Sequence, residues 1–477
     1  MKRNHQTPKP NNQIAFQGGS YSLAVTAMVL ALLVVLNILA GALPLSTTHL
    51  DISSSRLYSV TSNTKSVVQN LTDDVTIYWI TQAGEEDPVL ENLLSKYETL
   101  SDHISVVKKN PDIYPTFAEQ YTSQPVQNNS LVVECGERSR YIPLDQIYLA
   151  DMTAVSYNAS FDGEGAITSA VDYVVNAELP KLYLLEGHGE APLPDTFLDQ
   201  LTKANMEVES LSLLNVDAIP EDAACLLLHA PSTDLSQQEA DLLDQYTEQG
   251  GKLLVLSGLT ENGPLPVLNS LLARYGVETV PGVVLESDRN YYAFQLPHVL
   301  LPELVSSPIT DPLIEAHYHP VISVAQGLEL TEEPLDATVT PLLTTSPTSY
   351  CKEELDTYDQ EEGDAAGPFA LAVDIRTDLG GQIVWFSSSD VLASLFNSYS
   401  SGANTDLVMN ALASMVGDNE ALAIRSKSLN YNYLTISEST ASLLKVLLIG
   451  VFPLAYLGVG IAVVVRRKQR CRNHEPA

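Results

Sequence analysis

Residues 182–190 read LYLLEGHGE, a short apolar run that ends in Gly187-His188-Gly189-Glu190. Hydrolases often carry a catalytic base at a turn between a strand and a helix, and a histidine beside a glutamate suits general base catalysis. A structural interpretation is also open, in which the two glycines allow the bend and the polar side chains hydrogen-bond the loop backbone. A ligand-binding role is the third alternative, because ligands favour the carboxyl ends of parallel strands.

A catalytic base at this turn would need a nucleophile or a metal ion. Ser257 lies in Leu256-Ser257-Gly258, which lacks the preceding glycine of the GxSxG elbow. Cys225 lies inside the apolar run AACLLLH, where it is expected to pack as a small apolar side chain. The required parts are missing, so the sequence predicts no catalytic residue and no enzyme activity.

Metal and nucleotide sites are not predicted either. His317 and His319 would share one face of a strand, but two ligands do not make a zinc site. The acidic stretch 353–364 lacks EF-hand spacing and is interpreted as part of a solvated surface loop over 349–368. No GxxxxGK[ST] motif occurs, so this chain does not hydrolyse ATP itself. We therefore predict no cofactor and no metal.

Two long apolar stretches, residues 21–45 and 441–465, stand near the ends of the chain. About 20 apolar residues span a bilayer as a helix, so both are predicted transmembrane helices. The first is also longer than the roughly 7–15 apolar residues of a signal peptide. Basic residues concentrate in the flanking tails, 1–20 and 466–477, which places both termini in the cytoplasm by the positive-inside rule. The region between the helices is then extracytoplasmic.

The net charge is −34, from 59 acidic and 25 basic residues among 477, and almost all of the acidic residues lie between the two apolar stretches. A body so acidic repels nucleic acid and anionic lipid headgroups, so nucleic acid is excluded as a partner. The four cysteines are far apart and form no CxxC pair, so neither a disulfide framework nor a thiol-exchange site is expected.

Alternating and helical patterns predict an α/β fold in two parts. Residues 46–155 show the order βαβαββ, which predicts a thioredoxin-like extracytoplasmic domain. Thr81-Gln82-Ala83-Gly84 stands where redox-active versions carry CxxC, so the domain is interpreted as structural. Residues 156–435 alternate apolar strands with amphipathic helices, which predicts a parallel α/β sheet with a late hairpin at FALAVDIR and GGQIVWF.

Several segments resemble one family in order and spacing: LDISSSRLYSVTSNTKSVVQNL, KLYLLEGHGE, LLLHAPSTDLSQQEADLLDQYTEQGGKLLVL, PLLTTSPTSY and GANTDLVMNALASMVGDNEALAIRSKSL. The chain is similar, from about residue 45 to 468, to the GldG-like auxiliary component of an uncharacterised ABC-type transport system, linked in gliding bacteria to motility. Ser53, Val60 and Thr61 depart mildly from the residues that are commoner in its opening motif.

The resemblance implies a non-enzymatic membrane partner of a transporter, with the permease and the ATPase on separate chains. It also implies a flavodoxin- or glutamine-amidotransferase-like fold for the large domain. The exposed domains would bind a substrate or a surface partner. A membrane-tethered hydrolase of the amidotransferase-like class, acting through the GHGE turn, is the alternative function.

Overall fold

The computed structural model describes residues 27–35, 59–152, 157–331, 337–355, 357–416, 427–428 and 445–472. The chain divides into two compact units, Met1–Ser428 and Leu429–Ala477. Residues 27–35 are helical. The fold is mixed α/β, with both parallel and antiparallel strand pairs, as the sequence predicts.

The first part of the larger unit is built on a four-stranded sheet in the order β2-β1-β3-β4. Its elements are α1 (Ser62–Gln69), β1 (Val75–Ile80), α2 (Pro88–Leu100), β2 (Ile104–Lys109), a 3-10 turn (Ala118–Gln120), β3 (Ser130–Cys135) and β4 (Arg138–Ile142). Strands β1 and β2 are parallel, whereas β3 runs antiparallel to β1 and β4. The predicted order of strands and helices is confirmed here.

Local sequence explains where these helices begin. Thr61 accepts a hydrogen bond from the Thr64 N–H and caps α1. Asp87 accepts the N–H groups of Val89 and Leu90, and Pro88 occupies the first turn of α2, where its missing N–H costs nothing. Each helix therefore starts at a residue whose side chain satisfies backbone donors that the helix itself leaves free.

Helix α4 (Gly163–Val175) is buried along most of its length and packs on β3 and β4 of the first sheet and on α5 of the second part. It is preceded by three elements, α3 (Leu144–Ile147), β5 (Tyr148–Met152) and β6 (Tyr157–Phe161). The late strand β22 (Lys427–Ser428) returns to pair with β6. The two predicted domains thus share one compact unit.

A ten-stranded sheet forms the second part, with β11-β16-β20-β21-β10-β9-β7-β8 as its main path and β17 and β14 branching from β20. The elements of its parallel half are β7 (Lys181–Leu185), α5 (Asp195–Lys203), β8 (Glu207–Leu211), β9 (Ala223–His229), α6 (Gln237–Glu248), β10 (Lys252–Leu256), α7 (Pro266–Arg274) and β21 (Gln382–Phe386). The remaining strands of the sheet are β11 (Val277–Val280), β14 (Glu303–Leu304), β16 (Gly327–Leu330), β17 (Ala337–Thr344) and β20 (Ala370–Thr377).

The inner parallel strands β9, β10 and β21 are buried on both faces, which is why their sequences read as continuous apolar runs, whereas the edge strand β8 is mostly exposed. One face packs on α5 and on α10 (Ala403–Val416), and the other packs on α6 and α7. The predicted hairpin of β20 and β21 is confirmed, but β21 also pairs in parallel with β10 and so lies inside the sheet.

Short elements cover the antiparallel half of the sheet: β12 (Val283–Glu286), β13 (Val299–Leu300), α8 (Asp311–Ala316), β15 (Ile322–Ser323), β18 (Ser349–Lys352), β19 (Ala365–Ala366) and α9 (Ser394–Tyr399). His317 and His319 do not lie in a strand, so they do not share a strand face. His317 ends α8 in the left-handed conformation, with φ of 57°.

The predicted surface loop over 349–368 is only partly a loop. Its acidic stretch is mostly exposed, but its first four residues form strand β18, and Lys352 at the end of that strand is buried. The Lys352 ammonium donates to the Asp359 carbonyl oxygen (2.9 Å) and lies 3.2 Å from Glu361 and 3.8 Å from Asp364. Two carboxylates of the stretch, Glu361 and Asp364, thus lie beside this lysine, because a buried ammonium needs compensating charge.

The smaller unit contains a π-helical segment (Val446–Val451) followed by α11 (Phe452–Arg472). Pro453 has no backbone N–H and cannot donate a helical hydrogen bond. The missing hydrogen bond explains why the backbone just before it adopts π-helical spacing. Within the described residues, no helix combines the length and the apolar character needed to cross a bilayer. Residues 21–26, 36–45 and 441–444 of the two predicted spans lie outside the described residues, and the structure does not show those spans.

Candidate functional site at the carboxyl edge of the parallel sheet

The GHGE turn follows β7 at the carboxyl edge of the ten-stranded sheet, beside the loop that follows β9. Gly187 and Gly189 have φ of 132° and 69°, which L-residues rarely adopt. A Cβ on Gly189 would also lie 2.2 Å from the Ser232 hydroxyl oxygen. The expectation that these glycines allow the bend is confirmed, and the loop after β9 leaves no room for a side chain at Gly189.

The His188 imidazole is buried between two carboxylates. Its Nδ1 lies 3.2 Å from Glu190 Oε1 and its Nε2 lies 3.1 Å from Glu239 Oε2. Carboxylate oxygens only accept hydrogen bonds, so with both glutamates ionised each ring nitrogen must carry a proton. An imidazole with both nitrogens engaged in this way has no lone pair with which to act as a general base.

Backbone groups hold the rest of the turn. The N–H groups of Gly187 and His188 donate to Glu190 Oε2, at 3.1 and 2.9 Å. The His188 carbonyl oxygen accepts the backbone N–H groups of Ser232 and Thr233, at 2.9 and 3.0 Å, and also their hydroxyls. The geometry supports the structural interpretation of the turn. The Glu190 side chain binds loop backbone as expected, whereas the His188 side chain contacts two carboxylates and only its backbone carbonyl binds the neighbouring loop.

Glu239 was not singled out from the sequence, although the S-x-x-E capping pattern of Ser236 and Glu239 is readable there. Glu239 Oε2 accepts the backbone N–H (2.9 Å) and the hydroxyl (2.7 Å) of Ser236, which completes a capping box on α6. Burial alone would raise the pKa of Glu239, but the hydrogen bonds from Ser236 and the adjacent His188 together lower it. One carboxylate therefore both caps a helix and fixes the turn.

His229, at the end of β9, is a second histidine at this edge that sequence reasoning missed. Its Nδ1 lies 2.8 Å from the Ala191 carbonyl oxygen, and burial lowers the pKa of its imidazole. Hydrogen donation from Nδ1 fixes one neutral tautomer and holds the loop between β7 and α5. Both histidines thus act on the same loop.

Two of the described thiols are not placed for nucleophilic attack. Cys225 and Cys351 are buried, and burial raises the pKa of each thiol to about 12. Such thiols stay protonated and are poor nucleophiles. Ser257 is buried after β10, and no hydrogen bond joins it to His188 or His229. In the described part of the chain, no cluster of three or more His, Cys, Asp or Glu residues could hold a metal ion.

The comparison with known families adds to this geometry. Residues 179–411 match the family described as "ABC-type uncharacterized transport system", whose members are auxiliary components. The GHGE turn and all five parallel strands of the ten-stranded sheet, from β7 to β21, fall inside this segment. Residues 54–148 match a domain of unknown function, DUF7088, which coincides with the four-stranded sheet.

Several solved structures are similar to part of this one. The mmIFT52 N-terminal domain is 15% identical, with a TM-score of 0.36, and the match covers 49% of this chain and 96% of that one. The exo-beta-1,4-mannosidase Op5Man5 from Opitutaceae bacterium strain TAV5 is 12% identical, with a TM-score of 0.28. That match covers 69% of this chain and 48% of the mannosidase.

A glutamine amidotransferase from Thermotoga maritima is 10% identical, with a TM-score of 0.29, and the match covers 50% of this chain and all of that one. No curated protein matches this sequence. The family of auxiliary transport components is therefore the finding that bears on function, and it is consistent with a chain that is not an enzyme.

Proposed function

We propose that this protein is a non-enzymatic, membrane-anchored accessory subunit of an ABC-type transport complex, whose exposed domains bind a substrate or a surface partner. The family match over residues 179–411 is the observation that carries the proposal. The ATPase would be a separate chain, because this sequence contains no phosphate-binding loop. The family resemblance implies that the permease is a separate chain as well.

The geometry of the GHGE turn supports a binding or structural role over the alternative of a tethered hydrolase. Both nitrogens of His188 contact carboxylates, and both Glu190 oxygens accept hydrogen bonds within the turn. A hydrolase of the amidotransferase-like class would need a base with a free lone pair beside an exposed nucleophile.

The finer fold assignments belong to the same proposal. The strand order β2-β1-β3-β4, with β3 antiparallel to its neighbours, supports a thioredoxin-like domain. Five parallel strands with helices on both faces support a flavodoxin- or amidotransferase-like second domain. Within the family, the order of the sequence motifs supports the GldG-like group, and with it a link to gliding motility in bacteria that glide.

The proposed topology has both termini in the cytoplasm and the acidic body outside the membrane. The support is the sequence: two apolar stretches, 21–45 and 441–465, and basic residues in both tails. In this topology the body of the protein has no access to ATP, which is confined to the cytoplasm with the two tails. An ATPase on another chain agrees with this arrangement.

Co-purification tests the function. We expect the full chain, extracted in a mild detergent through an affinity tag, to bring down one permease and one ATPase chain that mass spectrometry identifies. A tagged two-pass membrane protein of unrelated family, expressed at the same level, controls for contaminants. Recovery of the chain without any permease or ATPase, under conditions that preserve other ABC complexes, would contradict the proposal.

Thiol labelling of intact cells tests the topology. A membrane-impermeant maleimide should label the Cys471→Ser variant, through half-buried Cys135, because Cys225 and Cys351 are buried. The Cys135→Ser variant should be labelled only after permeabilisation, through Cys471. Burial and the neighbouring Asp73 and Asp74 raise the pKa of Cys135, so mildly alkaline buffer is needed. Equal labelling of both variants in intact cells would sink this topology.

A further inference from the structure

A cavity of about 330 Å³ lies at the carboxyl ends of β1 and β2, in the first part of the chain. Its wall is mostly apolar or aromatic, with amide side chains and one cation: Ile80, Gln82, Lys109, Pro111, Tyr114, Pro115, Phe117, Ala118, Val126, Gln127 and Asn128. The volume is at the lower end of the range for small-molecule sites. The carboxyl edge of parallel strands is also where ligands commonly bind.

Lys109 is the unusual member of this wall. Its ammonium lies over the rings of Phe117, Tyr114 and Tyr78, at 4.9, 5.3 and 5.4 Å from the centroids. Ring faces stabilise a cation but accept no directed hydrogen bond of ordinary strength. Among the described residues, no carboxylate and no hydrogen-bond acceptor contacts this ammonium, so its N–H groups are available to a ligand.

The neighbouring lysine shows that the lack of a carboxylate is specific to this position. Lys108 lies 2.8 Å from Glu91 and 3.8 Å from Glu86, and its ammonium stands over the Trp79 ring. Successive residues of a strand point to opposite faces. Lys108 therefore has carboxylate partners on its side of β2, whereas on the cavity side the nearby carboxylates Glu134 and Asp112 bond Tyr78 and Gln82 and none of the described carboxylates pairs with the Lys109 ammonium.

We propose that this cavity binds a carboxylate joined to an apolar or aromatic group, either a small organic acid or the end of a peptide chain. One ammonium neutralises one carboxylate, whereas a phosphate dianion would need further donors. The apolar body of the ligand would pack on Tyr114 and Phe117. Thr81-Gln82-Ala83-Gly84, where redox relatives would carry cysteines, borders this site through Gln82.

This inference names a ligand class for the binding part of the proposed function and rests on it only there. Ligand binding is measured on the isolated full chain, so a failure to bind the ligand is distinguishable from a failure to co-purify with transport subunits. The probes are N-acetyl-phenylalanine and its amide, which have the same shape but differ in charge. We expect calorimetry on the detergent-solubilised chain to show at least about tenfold tighter binding of the acid.

Matched variants identify the residue responsible. Lys109→Met should reduce the preference for the acid to about twofold or less, whereas Lys109→Arg and the control Lys108→Met should keep it. Phe117→Ala should weaken the acid and the amide alike, because it removes packing and not charge. Unfolding temperatures close to wild type would show that the variants are folded.

A short peptide ending in phenylalanine, compared with its amidated form, distinguishes the two sources of ligand. Tighter binding of the free-acid peptide than of the small acid would identify a chain terminus. Binding of the small acid alone would identify a free organic acid. Equal binding of acid and amide to the wild type, no binding of either, or a preference that survives in Lys109→Met would overturn the proposal.

Discussion

Replacing His188 by leucine is expected to destabilise the second part of the chain by about 3–5 kcal/mol. The substitution removes the only group between the Glu190 and Glu239 carboxylates, which lie 3.2 and 3.1 Å from its ring nitrogens. Glu239 Oε1 is already buried without a hydrogen-bond partner among the described residues. Buried Glu239 and half-buried Glu190 would then be left without the imidazole that separates their carboxylates.

Chemical denaturation can follow this loss in the right part of the molecule. The chain has two tryptophans, Trp79 in the first sheet and Trp385 in the second, so a Trp79→Phe background reports on the second sheet alone. The control is His103→Leu, whose partner Asp74 lies 2.9 Å away at an exposed position. We expect less than about 1 kcal/mol there.

The stability of the wild type and of His188→Leu should depend on pH in different ways. In the wild type the pKa of Glu239 is lowered, so its stabilising contribution is present at neutral pH and is lost as the pH falls through that lowered pKa. In His188→Leu the loss should instead shrink in acid, because protonation neutralises the unpaired carboxylates. A loss equal to that of the His103 control, or one independent of pH, would show that His188 does not hold the turn.

Replacing Asn205 by alanine is expected to cost about 3 kcal/mol and to loosen the contact between the two sheets. Asn205 Nδ2 donates to the Ser169 carbonyl oxygen and to Asp172 Oδ2, both at 2.8 Å. Its Oδ1 accepts the Arg140 guanidinium, at 2.5 Å. Arg140 belongs to β4 and Asp172 to α4, so one amide joins both parts of the larger unit.

Burial raises the pKa of Asp172, and the hydrogen bonds from Asn205 and Asn176 oppose that rise. Asn176 therefore supplies the control: its Nδ2 also donates to Asp172, at 2.6 Å, but from an exposed position. Asn176→Ala should cost less than about 1 kcal/mol. Asn205→Gly should cost about 1 kcal/mol less than Asn205→Ala, because the φ of 56° strains alanine and not glycine.

Single-tryptophan backgrounds measure the coupling. In the wild type, Trp79 and Trp385 should report one shared unfolding transition, whereas in Asn205→Ala the two midpoints should separate. Coincident midpoints in Asn205→Ala, with a loss no larger than that of Asn176→Ala, would contradict the assignment of Asn205 as the link.

Much of the architecture was predictable because its causes are local. Alternating residues in β1 and continuous apolar runs in β9 and β10 indicate strands with one or two buried faces. Ser236 and Glu239, three residues apart, mark the start of α6. These patterns act over a few residues, so they are readable without knowledge of the fold.

The pairing of polar groups across the fold was not predictable. Asp234 lies just before α6 in the sequence, yet its carboxylate accepts the N–H groups of Val267 and Leu268 in α7. Lys352 was assigned to a surface loop, yet it is buried beneath the acidic stretch. Each contact joins elements whose proximity depends on the strand order of the sheet.

The candidate site shows the same division. The sequence by itself determined that glycines at 187 and 189 make a sharp turn after β7 and that no nucleophile motif accompanies it. Only the tertiary structure decided that the carboxylate of Glu239, 51 residues further along the chain, hydrogen-bonds the second ring nitrogen of His188. A carboxylate can accept a hydrogen bond from any donor that packing brings to it. The pairing of Glu239 with His188 therefore follows from the packing of α6 against the turn, and the sequence around either residue does not indicate it.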